Sequence, residues 1–367
     1  MFDKLFMPAV FGMHIIKELT ALFAQACGTI CSTLTDSHAG ILSHSRVSRK
    51  RLKRERVLRF ITKQGENWMF LLRRIQEYRN SYRNFISVII EMRKLNKSIH
   101  VILKDGTSHT WTFHQAFQYS FFAPYIKKSN IVDYFDGKSE HLEFNYGDRK
   151  LIFYGAGNDG DIGGIFGSEE YRILRPENEI VVDIGANIGD SSIYFALNRA
   201  KHVIALEPYP FTFNLAVQNI KVNNLNDKIT LLNYGYGKAS EIVKVDEKKR
   251  DTVGAILIPS NEGKEVKLYS LEMLINEFGI QEALLKMDCK GCEYNILNED
   301  DDVLKKFKRI ILEFHYGYKN IESKFKNAGF STKVLRITKS GGDEPSLKSM
   351  ALKNNDYTYG ILYAELI

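Results

Sequence analysis

The chain predicts a doubly wound α/β sheet, closed at one edge by an antiparallel hairpin and preceded by an extension of helix and β-hairpin. Three observations point there. From Glu179 onward, short apolar runs alternate with segments of helical period, the pattern of strands joined by crossover helices. Val181-Val-Asp-Ile-Gly-Ala-Asn-Ile-Gly-Asp190 sets two glycines between one such run and the following helix. Thr332–Ile337 and Gly360–Leu366 then read as two strands with no helix between them.

Ile180–Ile184 is the first strand of the sheet, with an apolar run typical of a buried parallel sheet. Gly189–Ala200 reads as a helix, His202–Leu206 as a strand, Pro210–Asn224 as a helix and Ile229–Leu232 as a third strand. A hairpin-like insert at 241–268 precedes a helix at Leu271–Phe278. Strand Ala283–Met287, helix Glu293–Leu297, strand Arg309–Phe314 and helix Asn320–Ala328 follow. Upstream, Trp68–Met92 repeats apolar residues at three- and four-residue steps, as one long amphipathic helix would. Asp105-Gly106 and Gly147-Asp148, each between apolar runs, predict two hairpins. Gly155–Gly167 reads as a glycine-rich loop feeding the sheet.

The 367 residues divide on this reading into an N-terminal segment 1–43, a basic accessory region 44–150 and the sheet domain 151–367. With 44% hydrophobic and 26% charged residues, the chain fits a globular class and excludes collagen-like, disordered and polytopic membrane classes. Charge is uneven. Residues 44–94 carry fifteen Lys and Arg against four Glu, a local +11 in a chain whose net charge is +7. The densest run, Arg46 to Arg59, could bind phosphate as nucleic acid or as an anionic membrane surface, or be a solvated face. It holds no aromatic residue, which counts against stacking on single strands. Leu19–Thr35 is uncharged but short of the ~20 strongly apolar residues of a spanning helix, so a peripheral membrane contact is the most it suggests. Four cysteines are too few for a disulfide scaffold, and a reducing cytoplasmic setting is the default expectation.

The turn after the first strand carries the chemistry. A dinucleotide fingerprint would run G-x-G-x-x-G, with its glycines serving a pyrophosphate. Here the run is Gly185-Ala-Asn-Ile-Gly189, and Asp183 stands at the strand end. A carboxylate there repels a diphosphate and suits an ammonium. S-adenosylmethionine carries an ammonium and a sulfonium and no phosphate, so it is the expected cofactor. Glu207 closes the second strand, where an acid can hold both ribose hydroxyls of an adenosine.

Asp183-Ile-Gly-Ala-Asn-Ile-Gly-Asp190, Leu206-Glu-Pro208 and Lys286-Met-Asp-Cys-Lys-Gly-Cys-Glu293 resemble, in order, the motifs of the FkbM family of S-adenosylmethionine-dependent methyltransferases. The resemblance runs from about Phe153, through Gly160-Asp161-Ile162 and Phe166, to about Phe330. It implies a class I, Rossmann-like methyltransferase fold and, most often, O-methylation of a sugar or other small metabolite. It also implies that Asp183, Gly185, Asn187 and Gly189 cradle the amino acid part of the cofactor, that Glu207 beside Pro208 holds the ribose, and that Asn233, Tyr234 and Gly235 lie against the adenine. The family often has an acid where Lys290 stands.

Methyl transfer to a hydroxyl needs a positioned acceptor and a group to take its proton. Asp288, which also borders the cofactor, follows the fourth strand, Glu293 stands five residues later at a helix start, and His315 ends the fifth strand; each is a candidate catalytic base on the expected ligand side. His315 is favoured because its ordinary pKa lies near 6.5. Asp288, Glu313 and His315 could hold Mg²⁺, but nothing in their spacing demands a metal and none is expected. Cys289-Lys-Gly-Cys292 has the spacing of a redox dithiol, and with Cys27 and Cys31 the arithmetic of a zinc site; both rank below the cofactor reading. The expected acceptor is a sugar, glycolipid or other small metabolite. An RNA methyltransferase using the basic segment is the alternative, and a binding protein that keeps the fold without catalysis is the third reading.

Overall fold

A computed structural model describes residues 74–94, 98–123, 130–156, 161–237, 241–245, 263–339 and 358–367. The chain separates into two compact units, Met1–Pro124 and Tyr125–Ile367. The run Arg46 to Arg59, the stretch Leu19–Thr35 and the pair Cys27 and Cys31 lie outside the described residues. Among the described residues, no helix is long and apolar enough to cross a membrane.

In the first unit the long helix expected over Trp68–Met92 is interrupted. A helical stretch at 74–81 ends where Tyr82 bridges to Leu103, and α1 (Phe85–Arg93) starts afresh. The break has a partner. Hairpin β1 (Ile99–Ile102) and β2 (Ser108–Trp111) takes Arg83 N–H at the Ile102 carbonyl, while Asn84 bonds the backbone of His100 and Ile102. Side-chain periodicity does not register that competition. The Asp105-Gly106 turn forms as expected, with Asp105 accepting from Thr107 N–H. Helix α2 (Phe113–Phe122), not foreseen, begins in a capping box of Thr112 and Gln115. Arg74 is buried, paired with Glu77 and set over the Phe117 ring at 4.6 Å, so part of the local positive charge serves packing.

In the second unit, α3 (Ile131–Phe135) leads into hairpin β3 (His141–Tyr146) and β4 (Arg149–Tyr154). The division between the two compact units falls after Pro124, and the hairpin lies in the second unit with the main sheet. The reason is visible in two later asparagines. Asn219 and Asn223 bond the backbones of Tyr154 and Ile152 through both their oxygens and their nitrogens.

The main sheet comprises β5 (Ile180–Ile184), β6 (His202–Leu206), β7 (Ile229–Leu232), β11 (Ala283–Met287), β12 (Phe307–Phe314), β13 (Phe330–Lys339) and β14 (Thr358–Leu366). Their spatial order is β13-β14-β12-β11-β5-β6-β7. β14 alone runs antiparallel, inserted between β12 and β13. This is the class I methyltransferase arrangement, and it matches the doubly wound sheet with a closing hairpin read from the sequence. Helices α4 (Asp190–Leu197), α5 (Pro210–Val222), α6 (Leu271–Phe278), α7 (Asp301–Leu304) and α8 (Lys319–Asn327) connect the strands. The segment expected as helix Glu293–Leu297 is instead a 3₁₀ helix, Cys292–Asn298. Short strands β8 (Tyr234–Tyr236), β9 (Ile242–Val245) and β10 (Lys264–Tyr269) form a separate sheet, β8-β10-β9. Val182, Ile184, Leu285, Met287, Ile310 and Leu312 are among the residues that build the sheet's core, each 2% exposed or less. That burial holds the strand ends, and the loops leaving them, in fixed register.

Candidate active site

The turn from β5 to α4 packs against the start of the β11 loop. Gly185, at φ +79°, could not carry a side chain, because an added Cβ would lie 2.0 Å from the Asp288 carbonyl oxygen. Gly189, at φ +85°, was expected to allow the backbone close to a ligand. Its neighbour is helix α5, with an added Cβ 3.3 Å from the Ala216 Cβ. Asn187 lies between them in the left-handed region, φ +50°.

Asp183 was expected to meet the cofactor's ammonium directly. It is fully buried, and protein groups surround both oxygens. Oδ2 accepts from Ser191 Oγ at 2.7 Å and Ser192 Oγ at 2.6 Å. Oδ1 forms an ion pair of 2.9 Å with the ammonium of Lys286, itself 2% exposed. Lys286 also donates to the Gly185 carbonyl at 2.7 Å. Burial opposes its charge most strongly, but Asp183 and Asp288 prevail and hold its pKa above the usual lysine value. The carboxylate thus reaches the turn through a lysine that sequence reasoning quoted and gave no role. The signal was available: an isolated Lys in the apolar strand Ala-Leu-Leu-Lys-Met must find a buried anion.

Glu207, at the end of β6, is 5% exposed and faces the same turn. It accepts from Asn187 N–H at 3.0 Å and from Tyr209 N–H at 3.0 Å. Asn233 braces this corner by donating to the carbonyls of Glu207 and Pro208. Tyr234 stacks on Tyr269, ring centroids 4.3 Å apart, and Gly235 pairs with Leu268 between β8 and β10. The chemistry of the set fits S-adenosylmethionine. Acids stand at the ends of β6 and β11, and the cation beneath the turn is neutralised by Asp183.

The loop after β11 carries Asp288 and Lys290, and the 3₁₀ helix that follows carries Glu293. Lys290 Nζ lies 3.1 Å from Asp288 Oδ1. Burial is the strongest single influence on Asp288 and pushes its pKa up. Lys290, Lys286 and His315 together outweigh it and hold the carboxyl well below the usual range. Glu293 is fully buried. Its Oε2 accepts from Gly291 N–H at 2.6 Å, and its Oε1 lies 2.9 Å from His315 Nδ1. Burial opposes the charge on His315, but Glu293 overcomes it and the imidazole pKa is raised. Tyr294 fixes the segment beyond His315, donating to the Gly317 carbonyl and accepting from Tyr316 N–H, each at 2.7 Å. Glu293 and His315, read from the sequence as separate candidates, are therefore one hydrogen-bonded pair. Glu293 has both carboxylate oxygens engaged within the protein, Oε2 by Gly291 N–H and Oε1 by His315.

Nearby carboxyls share one field. Glu170 is pushed up to about 8, chiefly by burial and then by Asp161 and Glu313. Glu313 is raised by burial and by Asp288. Arg336 bonds Glu313 at 3.0 Å and stands 3.7 Å from Glu170. Among the described residues, no group of three or more His, Cys, Asp or Glu side chains is arranged to hold a metal ion. Cys289 and Cys292, which ranked low as a redox pair, are joined as a disulfide.

Residues 183–332 match the family model of the methyltransferase FkbM domain. The chain is 28% identical to the AMB antimetabolite synthetase AmbE of Pseudomonas aeruginosa, over 41% of this chain and 9% of that protein. It is 37% identical to the tRNA(Phe) (4-demethylwyosine(37)-C(7)) aminocarboxypropyltransferase of Pyrococcus horikoshii, over 17% of this chain and 22% of that protein. The chain thus spans less than a quarter of either relative. Among solved structures, the precorrin-6y C5,15-methyltransferase of Geobacter metallireducens is 15% identical, covers 55% of this chain and 86% of its own, and gives a TM-score of 0.30.

Proposed function

We propose that this chain, whose residues 183–332 form a methyltransferase FkbM domain, methylates a hydroxyl of a sugar, glycolipid or other small metabolite from S-adenosylmethionine, with His315 as general base. The observation that carries the proposal is the Glu293–His315 pair. Bound at the β5 turn, the cofactor supplies an activated methyl group. Gly185, Asn187 and Gly189 shape that turn, Lys286 and Asp183 set it from below, and Glu207 with Pro208 borders the ribose position. Tyr234 and Gly235 border the adenine position. Asp288, kept ionised by Lys290, would hold the cationic end of the cofactor.

The proton of the acceptor hydroxyl goes to His315 Nε2. Glu293 holds Nδ1–H, fixes the tautomer that leaves Nε2 basic, and stabilises the imidazolium that forms. Asp288 is a poor base, because its neighbours keep it ionised at low pH. The RNA alternative rests on the basic run Arg46 to Arg59, which lies outside the described residues. This reading places the reaction in the cytoplasm, the default setting for a chain with few cysteines.

A methyl-transfer screen with labelled cofactor against sugars, glycolipids and RNA tests the proposal. Labelled sugar or glycolipid, lost in His315→Ala, supports it. Label in RNA alone, with strongly salt-dependent binding, replaces it with the alternative. Absence of cofactor binding by calorimetry leaves the non-catalytic reading.

A further inference from the structure

The two cysteines of Cys289-Lys-Gly-Cys292 take no part in the methyl transfer proposed above. Its two sulfurs close a small ring around Lys290 and Gly291, both at positive φ, +55° and +120°. Only glycine adopts such backbone readily, so the ring holds Lys290 in a conformation a free loop would relax. One side of the ring touches the cofactor turn: a Cβ on Gly185 would lie 3.3 Å from Cys289 Cα. The other side touches the proton-transfer pair. Gly291 N–H donates to Glu293 Oε2, and Cys289 Sγ lies 3.7 Å from the same oxygen. As a half-cystine that sulfur has no proton to donate. As a thiol it has one, at hydrogen-bonding range for sulfur.

We propose that Cys289–Cys292 is a thiol–disulfide exchange site for a dithiol reductant, and that its state retunes His315 through Glu293. The proposal rests on the methyl-transfer reading for its consequence, not for its chemistry. A thiolate of the reductant attacks one protein sulfur and breaks the Cys289–Cys292 bond, giving a mixed disulfide and one protein thiol. The second thiol of the reductant resolves it. The reductant leaves as a disulfide, and two electrons and two protons stay on the protein as two thiols. Cys289 S–H then donates to Glu293 Oε2, drawing carboxylate charge away from His315. Glu293, Lys290, Glu313 and Asp288 are the charged groups that act on the imidazole, and of these Glu293 is the one the exchange alters directly. Weaker support from Glu293 lowers the His315 pKa, so the neutral base persists to lower pH in the reduced protein. Cys289 is thereby a positioning residue that acts through Glu293.

The test uses the full chain with Cys27→Ser and Cys31→Ser, so that only one pair responds, and dithiothreitol as the reductant. Differential alkylation with mass spectrometry reads the pair. NMR titration of the His315 ring reads the consequence without any acceptor. We expect a Cys289–Cys292 disulfide in air-oxidised protein. Reduction should lower the His315 midpoint by about half a pH unit, a roughly threefold change in its ionisation ratio. The acid limb of methyl transfer should move the same way, and Cys289→Ser/Cys292→Ser should titrate like the reduced protein and ignore dithiothreitol. Free thiols in oxidised protein, or a His315 titration blind to reduction, overturn the proposal. The wild-type comparison stands even where the double variant fails to fold. A shift in His315 without methyl transfer to any acceptor keeps the exchange site and removes the methyl-transfer reading. Methyl transfer with no redox response does the reverse.

Discussion

Glu293 Oε1 and His315 Nδ1 lie 2.9 Å apart, the acid sealed in the core and the imidazole with 17% of its side chain exposed. In the proposed reaction the buried acid is the orienting group and the partly exposed imidazole the reacting one. Removing the reacting group should slow turnover by about 10²–10⁴-fold. His315→Ala is expected to do so with cofactor affinity nearly intact, as stopped-time assays and calorimetry would read. Full turnover in that variant removes His315 as base.

Glu293→Gln should move the acid limb of the pH–rate profile to lower pH. Glu293 holds the imidazole pKa above its ordinary value, so loss of its charge lets the proton leave His315 earlier as pH rises. A limb that stays in place or moves upward contradicts the coupling.

The Asp183–Lys286 pair predicts a non-additive cycle. Asp183→Asn leaves a buried ammonium without its anion, and Lys286→Met leaves a buried carboxylate. Either should cost about 3–5 kcal/mol and impair cofactor binding, while the double variant should recover part of the loss. Denaturant midpoints of the four proteins decide it. Simple addition of the two single losses counts against the pair as the support of the turn.

Gly185→Ala should weaken cofactor binding far more than Gly189→Ala. Both residues sit at positive φ, but an added methyl on Gly185 meets the Asp288 carbonyl backbone at 2.0 Å, whereas on Gly189 it meets the Ala216 Cβ at 3.3 Å. Calorimetric titration of both variants with S-adenosylmethionine checks the order.

Glu170 gives a signature in stability. Its folded pKa of about 8 lies above the unfolded value, so the folded state keeps a proton that the unfolded chain has lost. This group's stabilisation is complete below pH ~4.3, declines as pH rises, and is gone above about 8. Glu170→Gln should flatten that decline, which melting temperatures at pH 5 and pH 8 would show.

The parallel strands were the most legible part of the sequence. Ala283–Met287 and Ile180–Ile184 keep their ends to the residue, because a strand buried on both faces writes a mostly apolar run, broken here only by Lys286 and Asp183. The acids and His315 were legible as strand-end positions, since a doubly wound sheet sets its ligands there. Side-chain pairing across strands was not. Lys286 and Asp183 are far apart in sequence and become partners only through the register of β11 against β5, where they sit side by side. Asn84 ended a helix by bonding a hairpin that lies later in the chain, and no local pattern carries that information. Cys289 and Cys292 were visible as a spacing, but their closeness to Glu293 depends on the turn that Lys290 and Gly291 make.

Strand β14 lies between β12 and β13, hydrogen-bonded on both sides, although it follows both in the chain. During synthesis, Phe307–Phe314 and Phe330–Lys339 leave the ribosome with a strand-wide gap between them. The edge of β12, including the segment that presents Glu313, stays open to a foreign strand until Thr358–Leu366 emerges to fill the slot. This half of the sheet is thus the last to be sealed, and a stalled nascent chain would expose a ready template for mispairing.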